Sequence, residues 1–361
     1  MGIAIPEYLR RSIAIACAVL VLTLAATGQT PLGLPATAAI ANGSSQLLPQ
    51  ATGDPENSPQ SISAAPGPSA ALPNGNDQGM FVFKTQVQEV VLHATVVDQQ
   101  RRLVAGLSQS AFSVFQDGAP QTITSFRRED VPVAMGIVID NSGSMREKRS
   151  KVNAAALNLV RASNPQDEVF VVNFNDEYYL DQDFTNDLLK LKEALEKIDA
   201  RGGTALRDAL VASAEHLKQD AKLERKVLFV VTDGDDNASR ESLEDAVKQL
   251  QQENGPSVYA IGILGDEEHP KRARHALEII AQRTGGLAFF PKTLDEVDDI
   301  SRQVAHDIKN QYTIGYKPTN PRASGGFRTI RVEAKVKGRK LLVRTKSGYY
   351  AGVQPAAPGA K

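Results

Sequence analysis

Four continuous apolar runs constrain the fold of this chain more than any other feature of its sequence. They are Val133–Ile139, Val169–Val172, Val227–Val231 and Val258–Ile263. Such runs predict strands that are buried on both faces, as in parallel sheets covered by helices. Leucines and β-branched residues at helical spacing predict amphipathic helices between or after these runs, for example Leu188, Leu191, Leu195 and Ile198, and Leu294, Val297, Val304 and Ile308. The alternation predicts a doubly wound α/β domain with a mostly parallel sheet over residues 131–312.

Two β-rich segments flank this α/β pattern. In residues 80–130, apolar residues alternate with more polar neighbours in Glu89–Val97, and Phe112–Phe115 precedes an Asp-Gly turn. In residues 313–350, a second alternating stretch begins at Ile330, and Gly338 separates it from another strand at Leu341–Thr345. Because the termini of a domain often lie close together, we expect the two flanks to meet in a small accessory β-domain.

The chain begins with features of an export signal. Arg10 and Arg11 precede the apolar run Ile13–Ala26, and small residues follow it, so residues 1–28 are predicted to form a signal peptide. Cleavage is favoured over retention as an anchor, because the run is shorter than the ~20 residues of a membrane span. Residues 29–79, rich in Pro, Ser, Gly and Ala, predict a disordered tether, and residues 351–361 a disordered tail. The expected location is secreted, periplasmic or in the cell envelope, with no transmembrane segment in a cleaved chain.

Charge and cysteine content exclude several classes of function. The formal net charge is −1, so no global field favours nucleic acid. A basic cluster is present near the end of the chain, and a solvated strand face explains it more simply than nucleic-acid binding; it comprises Lys335, Lys337, Arg339, Lys340 and Arg344. Cys17 is the single cysteine, which excludes an intrachain disulfide and a zinc-thiolate site. The histidines at 93, 216, 269, 275 and 306 show no metal-ligand spacing, and surface roles are expected for them.

Short oxygen-bearing side chains gather in three separate stretches of the α/β region. They are Asp140, Ser142 and Ser144 in Asp-Asn-Ser-Gly-Ser, Thr204 in Gly-Gly-Thr, and Asp233 in Thr-Asp-Gly. Two of the stretches directly follow predicted strands, where doubly wound folds place their ligands. Each stretch alone suits a turn or a helix cap, but together they indicate a site for Mg²⁺, Ca²⁺ or Mn²⁺. Asp235 and Asp236 could add a second ion, although an exposed acidic loop is the simpler interpretation.

The order Asp-x-Ser-x-Ser, then Thr, then Asp resembles the metal-ion-dependent adhesion site of von Willebrand factor type A domains. The resemblance covers about residues 131–312 and implies a Rossmann-like fold. The stretches Val131–Gly136, Gln311–Tyr316 and Phe327–Ile330 also resemble the related family named from acidobacterial proteins. The resemblance implies that the hydroxyls of Ser142, Ser144 and Thr204 face the metal, while Asp140 and Asp233 act directly or through water.

The motif set and the export signal together predict an exported, non-enzymatic binding protein. Three neutral hydroxyls and two carboxylates leave a divalent cation able to attract a further anionic oxygen, and Mg²⁺ is the expected ion. The expected partner is therefore a protein that presents an Asp or Glu carboxylate, and not a nucleic acid. Two alternatives stay open: a metal-dependent hydrolase, and an envelope assembly or scaffold protein that uses its β-flanks. The sequence around Ser142 and Ser144 offers no evident general base, which disfavours the hydrolase.

Overall fold

The computed structural model describes residues 89–128, 130–197, 200–265, 269–319 and 325–352. The predicted signal peptide, the predicted tether and most of the predicted tail lie outside the described residues. Ile198, which was expected to extend an amphipathic helix, lies outside them as well. Within the described part of the chain, no helix combines the length and hydrophobicity that a bilayer span requires.

The α/β region contains one six-stranded sheet. Its strands are β5 Ala134–Asp140, β6 Glu168–Phe174, β7 Tyr178–Thr185, β8 Lys226–Thr232, β9 Ser257–Gly262 and β10 Ala288–Phe289. Their order is β10-β9-β8-β5-β6-β7. All neighbouring strands are parallel except β7, which pairs with β6 in the antiparallel direction and forms one edge. The prediction of a mostly parallel, doubly wound sheet is therefore confirmed.

Helices cover both faces of this sheet. They are α1 Arg149–Ala162, α2 Leu188–Glu196, α3 Leu206–Asp220, α4 Leu243–Leu250, α5 Pro270–Thr284 and α6 Glu296–Lys309. Each of the four apolar runs forms a strand with an almost wholly buried side-chain pattern. Alternate residues of the central strands enter two separate cores: Ile137 and Phe229 belong to one, and Val138 and Leu228 to the other. Burial on both faces explains why these strands are apolar at every position.

The flanks form two four-stranded antiparallel sheets. Their strands are β1 Val90–Val97, β2 Phe112–Gln116, β3 Ala119–Gln121, β4 Ile123–Arg127, β11 Tyr312–Tyr316, β12 Gly326–Ala334, β13 Leu342–Arg344 and β14 Gly348–Ala351. One sheet has the order β13-β1-β11-β4, and the other β14-β12-β2-β3. Each sheet combines strands from both flanks, so the expected accessory β-domain is confirmed. The two strands around Gly338 belong to different sheets, since β13 pairs with β1.

The two flank sheets share one apolar core. The alternating residues Leu92 and Ala94 of β1 lie in it together with Val114 of β2 and Val332 of β12. Tyr316 donates a hydrogen bond from its hydroxyl to Gln116 Oε1 across the two sheets, at 2.7 Å. The two flank sheets thus form a sandwich, which is assembled from chain segments on both sides of the α/β region.

The basic cluster in the second flank is only partly solvated. Lys335, Lys337, Arg339 and Lys340 are exposed, as a solvated strand face would have them. Arg344 is half-buried and donates to the buried carboxylate of Asp307 at 2.7 Å. Its role is to join β13 to α6, so the expectation of a solvated face was wrong at this position.

Candidate metal centre

The sheet topology brings the predicted site residues to one edge. Asp140 is the last residue of β5, and Asp233 directly follows the last residue of β8. Because β5 and β8 are parallel neighbours, their carboxyl ends lie side by side. Ser142 precedes a 3₁₀ turn over Gly143–Met145, and the fully buried Met145 fixes this turn to the apolar core. The loop after β5 is therefore held rigidly over the neighbouring strand end.

Hydrogen bonds join four of the five predicted residues directly. Ser144 donates from its hydroxyl to Asp233 Oδ1 at 2.8 Å, and the hydroxyls of Ser142 and Ser144 lie 3.2 Å apart. The Ser142 amide donates to Asp140 Oδ1 at 2.8 Å. Ser144 is exposed, whereas the other three residues are buried. Two carboxylates and two hydroxyls thus converge in one compact group that solvent reaches from one side.

Thr204 reaches the same edge through the backbone of its loop. The Gly143 amide donates to the Gly202 carbonyl at 3.3 Å, which places the Gly-Gly-Thr loop beside the 3₁₀ turn. Asn237, in the loop after Asp233, accepts a hydrogen bond from the Thr204 amide at 2.8 Å. Thr204 itself is 3% exposed. Gly202 has φ +73°, and a Cβ there would lie 2.1 Å from Asp176 Oδ2, so this close approach of loops requires glycine.

Hydrogen bonds to both of its oxygens hold the Asp140 carboxylate in place. Thr232, the last residue of β8, donates from its hydroxyl to Asp140 Oδ2 at 2.6 Å. Burial is the main cause that raises the pKa of Asp140 to about 6, and the nearby charge of Asp233 also raises it. Hydrogen bonds from Thr232 and Ser142 act in the opposite direction, because they favour the carboxylate. Two close carboxylates in a buried setting attract a cation strongly.

The donor set fits a hard divalent cation. Its members are carboxylate and hydroxyl oxygens, which suit Mg²⁺, Ca²⁺ or Mn²⁺. The Asn141 Oδ1 atom beside them is buried and accepts no hydrogen bond from the described residues, so an unused oxygen lies next to the group. No cluster of three or more His, Cys, Asp or Glu side chains in the described part of the chain is arranged to hold a metal. A site built from two carboxylates and three hydroxyls does not require such a cluster.

Two basic residues contact the site and were missed in the sequence analysis. Lys148 donates from Nζ to Asp233 Oδ2 at 2.5 Å and forms an ion pair with it. The buried Arg149 donates to the Asp140 carbonyl at 2.8 Å and to Asn173 Oδ1 at 3.0 Å. Burial lowers the pKa of Arg149 to about 10, and the charges of Asp140 and Asp181 act in the opposite direction. Lys148 directly precedes α1 and follows Ser144 by four residues, and this closeness in sequence was the available clue.

Replacing Lys148 with methionine is expected to strengthen divalent-cation binding. The ammonium group neutralises one of the two site carboxylates and competes with a metal for Asp233 Oδ2. We expect about a fivefold gain in affinity for Mn²⁺, since such a pair is worth ~1 kcal/mol. Isothermal titration calorimetry measures this effect. Lys151→Met is the matched control, because Lys151 pairs with the exposed Asp295 instead. Unchanged or weaker binding in Lys148→Met would show that Lys148 does not compete with the ion.

The other acidic residues of this edge have structural roles. Asp236 forms a two-oxygen ion pair with Arg207, at 3.0 Å for each contact, and also accepts from the Ser239 hydroxyl. Asp235 pairs with Arg272 at 3.2 Å. Asp236 is buried, so the simple expectation of an exposed acidic loop was wrong for this residue.

Two histidines make contacts that the sequence did not predict. His216 lies against both Asp183 and Asp220 at 3.0 Å, and its ring stacks on Phe184. His93 lies in β1, where burial is the largest of the effects that lower its pKa to about 3. His93 is half-buried, with its Nδ1 3.3 Å from the Thr313 hydroxyl oxygen, so it is not the fully solvated residue that was expected.

Comparisons with known proteins agree with this fold. The family model of the von Willebrand factor type A domain matches residues 135–235. That interval contains all five predicted site residues. Residues 135–235 therefore belong to a von Willebrand factor type A domain, and the flank sandwich adjoins both ends of the α/β region. No curated protein sequence gives a significant match.

Several solved structures are similar in fold at low identity. A von Willebrand factor type A protein from Catenulispora acidiphila is 16% identical, with 74% of each chain covered and a TM-score of 0.43. The type V pilus tip protein Mfa5 domain from Porphyromonas gingivalis is 14% identical, with 50% of this chain and 97% of that chain covered and a TM-score of 0.40. The mussel byssus proximal thread matrix protein 1, with a zinc-occupied MIDAS motif, is 18% identical, with 58% and 50% covered and a TM-score of 0.42.

Proposed function

We propose that this protein is an exported, non-enzymatic binding protein whose type A domain docks a protein partner through a divalent cation. The observation that carries the proposal is the hydrogen-bonded group of Asp140, Ser142, Ser144 and Asp233 at the carboxyl edge of the sheet, with Thr204 brought beside it. Mg²⁺ is the proposed ion, with Ca²⁺ and Mn²⁺ as alternatives. Arg10, Arg11 and the apolar run that follows them support export to the cell envelope or beyond.

The protein groups favour capture of an anion and not a closed structural metal site. Ser142, Ser144 and Thr204 would offer neutral oxygens to the ion, while Asp140 and Asp233 would offset its charge. When bound, the cation supplies a coordination position for a carboxylate oxygen of the partner. Thr232 and the Ser142 amide orient Asp140, so that the ligand group is organised before the partner arrives. Ser144 is the exposed member and marks the side from which a partner would approach.

An exposed aromatic hairpin near the site favours a protein as the partner. Tyr178, Tyr179 and Leu180 begin the edge strand β7 and are about half exposed, at 50%, 48% and 50%. The turn before them contains Asp176, which accepts a hydrogen bond from the Gly203 amide at 2.8 Å, next to Thr204. Tyrosine is enriched in protein interfaces. A partner carboxylate on the metal and apolar contacts on this hairpin could be made by one protein surface.

The experiment is metal-dependent capture of a partner from envelope extracts. Immobilised wild-type protein should retain a partner in Mg²⁺ and release it in EDTA, because the ion bridges the two proteins. Replacing Tyr178 and Tyr179 with serine should weaken capture without changing cation affinity. A parallel phosphatase, esterase and peptidase screen, with and without EDTA, tests the hydrolase alternative. Metal-dependent turnover that Asp233→Ala abolishes would favour the hydrolase and overturn the proposal.

A further inference from the structure

A large cavity lies between the flank sandwich and the α/β domain. Its volume is about 490 Å³, within the range of small-molecule sites. Lys226 and Ser257, the first residues of β8 and β9, line one side. The candidate metal centre follows the carboxyl ends of the same sheet, so the cavity is a separate site at the opposite end of the strands.

The opposite wall is the outer face of one flank sheet. His93 of β1 lies opposite Thr313 of β11, and Thr313 lies opposite Arg127 of β4, so the three residues form one row across adjacent strands. All three line the cavity. The neighbouring residues Leu92 and Ala94 point into the sandwich core, as the two-residue period of a strand requires. The strand register therefore directs these polar and basic side chains toward the cavity.

Two further cations line the cavity and bond only to neutral oxygens in the described contacts. Arg225 is 3% exposed and donates to the Gln311 Oε1 atom at 2.6 Å, to the Val131 carbonyl at 3.3 Å and to the Ile308 carbonyl. Lys346 donates from Nζ to the Glu253 carbonyl at 2.7 Å. The charges of Asp167 and Asp130 act on Arg225, and that of Glu253 acts on Lys346, without a direct ion pair in the described contacts, so both cations retain some attraction for an anion.

Burial and nearby charges both act on the titratable groups that line the cavity. Burial lowers the pKa of Lys346 to about 8, with the Glu253 charge acting in the opposite direction. The pKa of His93 falls to about 3, first through burial and then through the charges of Arg225 and Lys346. The charges of Arg225 and Lys346 thus act on His93, although burial is the larger effect.

Two buried polar atoms of the lining residues have unused hydrogen-bonding capacity. Thr345 Oγ1 and Arg225 Nε are buried and have no hydrogen-bond partner among the described residues. Both residues line the cavity. A buried donor without a partner is unfavourable, and a ligand oxygen that reached it would satisfy it.

We propose that this cavity binds a small polar molecule through a carboxylate or phosphate group held near Arg225 and Lys346. The lining also includes Glu89, Glu224 and Glu253, which disfavour a ligand that is anionic along its whole length. The hydroxyls of Ser125, Ser257 and Thr313 suit a ligand that carries its own hydroxyl groups. The ligand class is therefore a hydroxylated acid or phosphate, such as a sugar acid or a sugar phosphate.

Isothermal titration calorimetry at constant ionic strength tests the proposal on the full chain. The probes are glucuronate, glucose 6-phosphate, citrate and inorganic phosphate, with glucose as the uncharged control. We expect at least one anion to bind with a Kd of about 1 mM or tighter, and glucose to show no binding. The carboxylate and phosphate probes distinguish the two sources of the oxyanion.

Matched variants locate the binding to the cavity. Lys346→Gln and Thr345→Val should each weaken the binding, by about tenfold or more for Lys346→Gln, because a charge-assisted hydrogen bond is lost. Lys340→Gln, at an exposed position outside the cavity, should bind as wild type does. Circular dichroism checks that each variant is folded. If Lys346→Gln does not fold, Thr345→Val still tests the proposal. The proposal is overturned if no probe binds, if glucose binds equally well, or if the cavity variants bind like Lys340→Gln.

Discussion

Replacing Asp140 with asparagine should weaken Mn²⁺ and Mg²⁺ binding by about 100-fold, the upper end of what loss of a supporting group costs a metal site. Asparagine keeps the shape of the side chain and can still accept from the Ser142 amide, but it removes one of only two site carboxylates. The affinity loss corresponds to about 2.7 kcal/mol. Partner capture in Mg²⁺ should fall in the same proportion, because the ion forms the bridge.

Asp167→Asn is the matched control for this effect. Asp167 is also buried with a pKa raised to about 6 by burial, but it accepts from the Val133 and Asn164 amides, near the start of β5 and β6. Titration calorimetry with Mn²⁺ should give wild-type affinity for Asp167→Asn. Equal affinity in wild type and Asp140→Asn would mean that the predicted group does not hold the ion, and the proposed function would lose its basis.

Replacing Tyr312 with alanine is expected to give the largest loss of stability, about 3–5 kcal/mol for a buried aromatic residue. Tyr312 is fully buried in the sandwich, and its ring lies 4.9 Å from that of Phe112. Its hydroxyl donates to the Val104 carbonyl at 2.8 Å and accepts from the Leu107 amide at 3.0 Å. Alanine would leave a cavity and two unpaired backbone groups in the core that joins the flanks.

Tyr312→Phe separates the ring from the hydroxyl. It keeps the packing and loses only the two hydrogen bonds, so we expect a cost of about 1–2 kcal/mol. Urea unfolding followed by circular dichroism measures both variants, since the chain has no tryptophan for fluorescence. If Tyr312→Ala unfolds at the same urea concentration as Tyr312→Phe, ring packing in the sandwich contributes little to the stability of the chain.

The parts of the fold that sequence patterns predicted are those with a strong local cause. Val227–Val231 had to be apolar throughout because β8 is central in the sheet and buried on both faces. Leu92 and Ala94 showed the two-residue period because only one face of β1 enters the sandwich core. Asp140 and Asp233 could be placed together because each follows a strand in the same parallel sheet.

Other features depend on tertiary contacts that no local pattern records. The edge strand β7 has an exposed or half-buried pattern at every residue, so no apolar period marked it in the sequence. Lys148 and Arg149 looked like ordinary helix residues until the loop after β5 placed them on Asp233 and Asp140. The cavity combines His93 with Lys346, which lie at opposite ends of the described chain, and only the assembled sandwich brings them near each other.

Anomalous scattering from manganese tests the central claim most directly. Crystals grown with MnCl₂ would be measured on both sides of the manganese absorption edge, for wild type and for Asp140→Asn. The account predicts one strong anomalous peak in wild type, in contact with the hydroxyls of Ser142 and Ser144 and close to Thr204 and Asp233, and a much weaker peak or none in the variant. A wild-type crystal with no peak there, or with its peak elsewhere on the protein, would contradict the account.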